Sequence, residues 1–211
     1  MQVILKDEII QKLKEVGLKN GDTVMVHTSL GKMGYVCGGA QAVIEALMEV
    51  VGDSGTIMMP TQSWKNLDPE TGVHWEADQK DWQLIRDNWP AYDKNLTPTN
   101  TMGAVAEMFR QVPGSVRSDH PARSVCAWGR YAKYPGKHTC VEHSAVSEAG
   151  KRVWKAYETL FVDGNDFEKI GEDFEKAYAV PGVRIGNALV RLMYQRELVD
   201  FAVKWMETNR A

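Results

Sequence analysis

Residues able to do chemistry gather in a few short stretches of this sequence. The first runs His27-Thr28-Ser29-Leu30-Gly31, with Gly34 close behind. Hydroxyls and glycines between a strand and a helix can hold a phosphate, because backbone N–H groups at such a turn point at an anion and glycine lets it approach. The stretch has neither a G-x-G-x-x-G nor a Walker pattern, so an ordinary strand-to-helix connection is an equal reading. The second is Ser118-Asp119-His120-Pro121. A histidine in a proline-ended polar turn can act as general base or as a fixed hydrogen-bond donor, and its plainer role is to cap the turn. The third, Thr61 to Pro98, sets Trp64, Trp75, Trp82, Trp89 and Tyr92 among Asp68, Glu70, Asp81, Asp87 and Asp93. Rings cover the apolar faces of an amino sugar or polyamine, and carboxylates pair with its ammonium groups. For any single carboxylate a solvated surface position is the simpler account. The fourth, Cys140-x-x-His143 with His138 beside it, has part of a zinc spacing but no second cluster. No base or orienting group is legible for a cysteine nucleophile. No metal is expected.

The elements that must position these residues follow from periodicity. Leu5 to Val16 places Leu5, Ile9, Ile10, Leu13 and Val16 on one helical face, and Gly17 with LKNGD ends it. Thr23 opens a strand through Val24, Met25 and Val26, and Ala40 to Val51 is a helix with Val43, Ile44, Leu47, Val50 and Val51 at helical spacing. After the turn Gly52-Asp53-Ser54-Gly55, Thr56 to Met59 is a short apolar strand ended by Pro60. Strand, helix, strand over this length is a βαβ unit with parallel neighbours. The expected fold is therefore α/β, a mainly parallel central sheet flanked by helices, with an α+β C-terminal portion in a single unit, residues 1–211. Residues 60–98 lack clear periodicity and read as a substrate-side excursion, with a short helix near Asp81 to Asn88. Thr101 to Val112 reads as a helix and Ser124 to Trp128 as a strand. Further on, Arg152 to Val162 is strand material and Phe167 to Tyr178 a helix with Asp166 at its N-cap. Val183 to Met193 suits a helix or a strand equally, and Glu197 to Asn209 is an amphipathic helix.

Composition narrows the class. With 211 residues, 44% of them hydrophobic and 25% charged, the chain is an ordinary globular protein. A net charge of −3 lacks the basic surplus of a nucleic-acid binder. Three cysteines, an odd number without a CxxC pair, argue against a disulfide framework and for a reduced, cytoplasmic setting. The N-terminus is an amphipathic helix rather than a signal peptide, and no apolar run reaches the length of a membrane span.

Taken together, these stretches resemble one family. HTSLGKMGYVCGGAQAVIEALMEVVGDSGTIMMPTQSW looks like the amino-terminal half of the aminoglycoside N3-acetyltransferases, the antibiotic N-acetyltransferase family. IRDNWPAYDKNLTPTNTMGAVAEMFR, RSDHP, AWGR, GKRVWKAYETL, DFEKIGEDFE and the closing VRIGNALVRLM and VDFAVKWM continue the match in order. The resemblance implies an α/β acyltransferase that uses acetyl-CoA, without metal, to acetylate the 3-amino group of a 2-deoxystreptamine antibiotic. It implies that His27, Thr28, Ser29, Leu30, Gly31 and Gly34 contact the coenzyme, with Ser118 nearby. It also implies that Thr61, Gln62 and Trp64, with Asp87 in the acidic excursion, lie toward the cationic acceptor. His120 matches the S-x-H-P turn and is the best imidazole for a catalytic role.

One departure stands out. The family carries, after AWGR, a strand leading into a T-x-x-H-L-x-E motif whose histidine is the expected general base. Here Tyr134 runs directly into Pro135-Gly136-Lys137, which looks like the segment beyond the motif, and several dozen residues are absent. Neither His138 nor His143 sits in matching surroundings. A deletion, a segment of the protein lying outside these residues, or a lineage that has rerouted the chemistry each accounts for this. A module that binds coenzyme A or antibiotic without turnover is the alternative to an enzyme.

Overall fold

The structure, a computed structural model, describes residues 2–129, 140–159 and 166–209. The chain begins with β1 (Val3–Ile4), α1 (Lys6–Glu15), β2 (Thr23–Met25), α2 (Leu30–Met33), β3 (Tyr35–Val36) and α3 (Gly39–Val51). It continues through β4 (Thr56–Pro60), α4 (Trp82–Asn88), α5 (Gly103–Phe109), β5 (Val116–Arg117) and β6 (Val125–Gly129). The last part holds β7 (Cys140–Glu148), β8 (Lys151–Thr159), α6 (Phe167–Ala177), β9 (Gly182–Ile185), β10 (Ala188–Arg191) and α7 (Gln195–Asn209). The predicted break between Tyr134 and Pro135, and His138, lie outside the described residues.

The expected βαβ unit is present: β2 and β4 pair in parallel, with Val24 opposite Ile57. The central sheet has the order β2-β4-β6-β5, so the α/β class holds, but the sheet is mixed rather than mainly parallel. β6 runs antiparallel to β4, pairing Met59 with Cys126, and β5 runs antiparallel to β6. For β5 and β6 the reason is connectivity: the turn joining them is too short for a parallel crossover.

The core forms where α1 and α3 pack together and onto the sheet. Ile9, Ile10 and Leu13 meet Val43, Ile44, Leu47, Val50 and Val51, with Ile57, Met59, Val105 and Phe109 completing the cluster. Each fully buried aliphatic side chain of this kind contributes about 1.5–3 kcal/mol. Gly129, the glycine of AWGR, shows how closely the sheet backbone approaches. A Cβ there would lie 2.3 Å from the Gly55 carbonyl oxygen, and the φ of +109° already excludes most other residues.

β7 and β8 form a long hairpin closed by Ala149 (φ 49°) and Gly150 (φ 76°), with Glu142 opposite Tyr157. Its first strand was not expected. Most of Val183 to Met193, which suits helix or strand equally, belongs to the antiparallel hairpin β9–β10. Ile185 from that hairpin joins the main core. α7 lies against α6, where Trp205 Nε1 donates to Asp173 at 3.0 Å and Phe201 meets Phe174 edge-on.

Candidate functional site

A small cleft of about 130 Å³ opens at the carboxyl ends of the parallel strands β2 and β4. It is lined by Val26, His27, Thr28, Pro60, Thr101, Met102 and Ala106. Open α/β sheets bind ligands at this end, because the loops that leave the strands diverge there. β2 delivers His27 and Thr28 through Val26, whose N–H donates to the Met58 carbonyl at 2.8 Å. The opposite wall is held by an unusual backbone. Thr101, a β-branched residue, has φ of +61°, a conformation that costs about 1–3 kcal/mol and persists only where its surroundings enforce it.

Of the coenzyme candidates, the structure therefore brings His27 and Thr28 to this cleft and carries the others past it. Ser29 occupies the N-cap position of α2, and Leu30 packs against the core. A Cβ on Gly31 would meet nothing within 4 Å, so no close backbone approach explains that glycine. Gly34, at φ 102°, ends α2.

The second half of the site adjoins the first, since Pro60 lines the cleft and Thr61 is the next residue. Thr61 is fully buried, and its carbonyl accepts from Arg117 Nη2 and Ser124 Oγ, both at 2.6 Å. Arg117, which the sequence reading passed over, is 5% exposed and donates from all three nitrogens. Its acceptors are Ser124 Oγ, the Lys94 and Thr97 carbonyls, the Thr61 carbonyl and Ser63 Oγ, at 2.6–3.2 Å. One side chain thus ties the 94–97 segment of the excursion to the sheet. Gln62 helps through its carbonyl, which accepts from Asn100 N at 2.8 Å.

Ser118 closes the turn between β5 and β6, donating its N–H to the Val125 carbonyl and accepting on Oγ from Val125 N. Within the turn, His120 Nδ1 accepts two backbone N–H groups, from Ala122 at 3.2 Å and from Arg123 at 2.9 Å. Two donors at Nδ1 place the proton of the neutral ring on Nε2. Burial holds the pKa of His120 below the ordinary histidine value, so the ring is neutral at neutral pH. Tyr157 meets it edge-on at 5.2 Å, and the Tyr157 hydroxyl shares a 2.8 Å hydrogen bond with Ser144.

Trp64 lies beneath the Arg123 guanidinium, 4.5 Å from ring centroid to charge, and Arg123 Nε donates to Glu142 at 2.8 Å. Glu142 Oε2 and Arg123 Nη1 are buried without a hydrogen-bond partner. Neither residue was a candidate from sequence, and only their convergence from β7 and the S-x-H-P turn makes them visible. Asp87, by contrast, sits on the exposed side of α4, bonded to Gln83 Nε2 at 2.9 Å. Several excursion carboxylates are spent internally: Asp68 on Arg86 in a fork of 2.8 and 2.9 Å, Glu76 on Lys65, and Asp93 on the N–H groups of Asn95 and Leu96. A wider cleft of about 430 Å³ runs past Asp68, Glu70, Arg86, His143 and Trp154. Among the described residues no three histidine, cysteine, aspartate or glutamate side chains gather as metal ligands. No helix among them is long and apolar enough to cross a membrane.

The frame is thus a mixed α/β sheet with a cleft at its parallel strand ends, and the matching family is one of acyltransferases. The chain belongs to the aminoglycoside 3-N-acetyltransferase family, whose profile matches residues 25–134 and 130–207. It is 34% identical, over 97% of its length and 93% of the relative, to the SPbeta prophage-derived aminoglycoside N(3')-acetyltransferase-like protein YokD of Bacillus subtilis (strain 168). With aminoglycoside N(3)-acetyltransferase VII of Streptomyces paromomycinus it shares 30% identity over 97% of this chain and 92% of that one. The crystal structure of YokD superposes with a TM-score of 0.90 at 32% identity, covering 100% of this chain and 96% of that chain.

Proposed function

We propose that this protein is a cytoplasmic acetyltransferase that moves an acetyl group from acetyl-CoA to the 3-amino group of a 2-deoxystreptamine aminoglycoside or a similar cationic amine. The observation that carries the reading is that Pro60 lines the β2/β4 cleft and the next residue, Thr61, binds through its carbonyl to Arg117 and Ser124, which flank the His120 turn. Family membership supports the acceptor class. We read residues 1–211 as a single acetyltransferase-like domain in which residues 60–98 face the acceptor.

The cleft suits the thioester end of acetyl-CoA. At about 130 Å³ it has room for an acetyl group and its sulfur, and it is walled by an imidazole, a hydroxyl and apolar side chains. His27 and Thr28 are the residues that would hold it, with Met102 and Ala106 as the apolar wall. Coenzyme A supplies an activated acyl carbon and a thiol leaving group. An acceptor ammonium would give one proton to solvent before its nitrogen bonds the acyl carbon, and its second N–H proton would balance the charge of the thiolate released as the C–S bond breaks. The oxyanion formed on the way needs donors fixed in advance. Ser118, Thr61 and Gln62 serve as framework through the Ser118 hydroxyl and the Thr61 and Gln62 carbonyls, which hold the turn and the excursion, while the Thr61 hydroxyl is buried without a partner among the described residues. Trp64 presents its face to Arg123 and so anchors the acceptor side.

His120 is our catalytic candidate, as a fixed imidazole rather than a base: with Nδ1 bonded to two backbone amides, accepting a proton there would mean losing both. The same observation favours a second reading, a module of this fold that binds coenzyme A or antibiotic without turnover. We also infer that the family's T-x-x-H-L-x-E stretch is missing after Tyr134, a reading supported by the division of the family match into residues 25–134 and 130–207. Thiol release from acetyl-CoA, measured with and without an aminoglycoside bearing a free 3-amino group, separates the readings. Acceptor-dependent release with an acetylated product by mass spectrometry supports the enzyme. Calorimetric binding by a folded sample with no release overturns it in favour of the module.

A further inference from the structure

Arg123 is engaged at both its main chain and its side chain. Its backbone N–H donates to His120 Nδ1 at 2.9 Å, while its guanidinium stacks over Trp64 at 4.5 Å and donates to Glu142 from two nitrogens. The two charged side chains are 15% and 8% exposed. An ion pair so buried adds little net stability, because removing both charges from water offsets their attraction; its better-attested use is to fix a geometry. Here the geometry it fixes is that of residue 123. With the guanidinium held at both the carboxylate and the indole, a shift of the main chain at that position has to be absorbed along the arginine stem or at those contacts. Glu142 reaches the turn from β7, a strand fastened independently by the bonds Asp68 N to the His143 carbonyl and Tyr92 N to the Ala145 carbonyl.

We propose that Glu142 is a positioning residue which, through Arg123, locks His120 into the single tautomer carrying its proton on Nε2. The relevance of that lock to turnover rests on the reading of His120 as part of the transfer site; the lock itself does not. Two backbone donors at Nδ1 disfavour a proton there, and withdrawing the Arg123 amide removes the shorter of the two. Tyr157, which meets the ring edge-on, has its hydroxyl bonded to Ser144.

The test is long-range proton–nitrogen correlation spectroscopy on protein labelled with ¹⁵N-histidine, at a pH where the ring is neutral. The His120 signals among the five histidines are assigned by their loss in His120→Asn. The wild-type protein is expected to show the Nε2–H form alone. In Glu142→Gln the ratio of Nε2–H to Nδ1–H should fall about tenfold, the worth of one hydrogen bond. Arg123→Lys, which keeps a charge but loses the second nitrogen donor and the guanidinium over the indole, should give the same fall and serves if Glu142→Gln does not fold. A folded variant of either kind with the wild-type ratio overturns the proposal, as does a mixed tautomer in the wild-type protein. Turnover is read alongside: kcat should fall with the ratio while KM for both substrates holds. A wild-type protein that shows the lock but releases no thiol fails the transfer reading and leaves the positioning role standing.

Discussion

Replacing Arg117 by methionine should loosen the acceptor-side excursion more than any surface substitution. The magnitude follows from what its five donors satisfy. Ser124 Oγ also bonds the Thr61 carbonyl and Ser63 Oγ also bonds the Pro98 carbonyl, so neither serine is orphaned, and Thr61 keeps the Ser124 bond. The Thr97 carbonyl, bonded at 2.6 Å, and the Lys94 carbonyl, at 3.2 Å, lose the arginine altogether. Unpaired acceptors cost about 1–3 kcal/mol each, and the charge-assisted bonds to Thr61 and Ser63 go as well. Relief from desolvating the guanidinium offsets part of this. The net expectation is a loss of roughly 3–5 kcal/mol, or about 6–20 °C in Tm for a chain of this length. Thermal unfolding followed by circular dichroism measures it, and limited proteolysis should show new cleavage near residues 94–97. Arg117→Lys should recover only part, since a point charge with three donors cannot span a fork. A methionine variant that melts within about 2 °C of wild type would refute the reasoning.

His120 gives a pH prediction. Its folded pKa lies below the unfolded value because of burial, so the unfolded state binds the proton more tightly and stability falls as pH drops below the unfolded pKa of about 6.5. Urea unfolding at descending pH should show that component in wild type and its loss in His120→Asn, whose Oδ1 can accept the same amides; equal pH slopes would argue against it. Gly129→Ala should abolish folding or cost more than about 4 kcal/mol, because its Cβ meets the Gly55 carbonyl. Gly31→Ala should be neutral or stabilise by about 0.5–1 kcal/mol, since it lies in a helical turn facing open space. Chemical denaturation of the pair decides both. Thr101→Asn should raise stability by a few tenths of a kcal/mol up to about 1, by relieving left-handed strain, while raising KM for acetyl-CoA through its place on the cleft wall.

The helices and the βαβ unit were legible because burial imposes a period: Val43, Ile44, Leu47 and Val50 recur on one face, and Ile57 and Met59 sit in an unbroken apolar run. Strand direction was not legible, because such a run is equally apolar whichever way its neighbour points, and β5 is too short to announce a hairpin. β7 is hard to read because its buried positions include the polar Glu142 and Ser144 beside only the small Ala145, so the strand lacks the apolar alternation by which strands are read. The cleft was legible only in part. His27 and Thr28 end a strand and so must point somewhere near its tip, whereas Thr101 arrives from a segment more than seventy residues on. Arg117 was in plain view inside RSDHP, yet its partners lie as far as 56 positions away, and nothing local in the sequence couples them.

Arg117 also separates two kinds of fastening. Its hydrogen bonds end on carbonyls and hydroxyls, groups that neither titrate nor attract counter-ions, so high ionic strength has little to screen. The contact between Arg123 and Glu142 instead joins two full opposite charges, whose attraction salt can act on. Brine should therefore leave the excursion attached to the sheet, and any weakening by salt should fall on the hold of the β7–β8 hairpin on the turn.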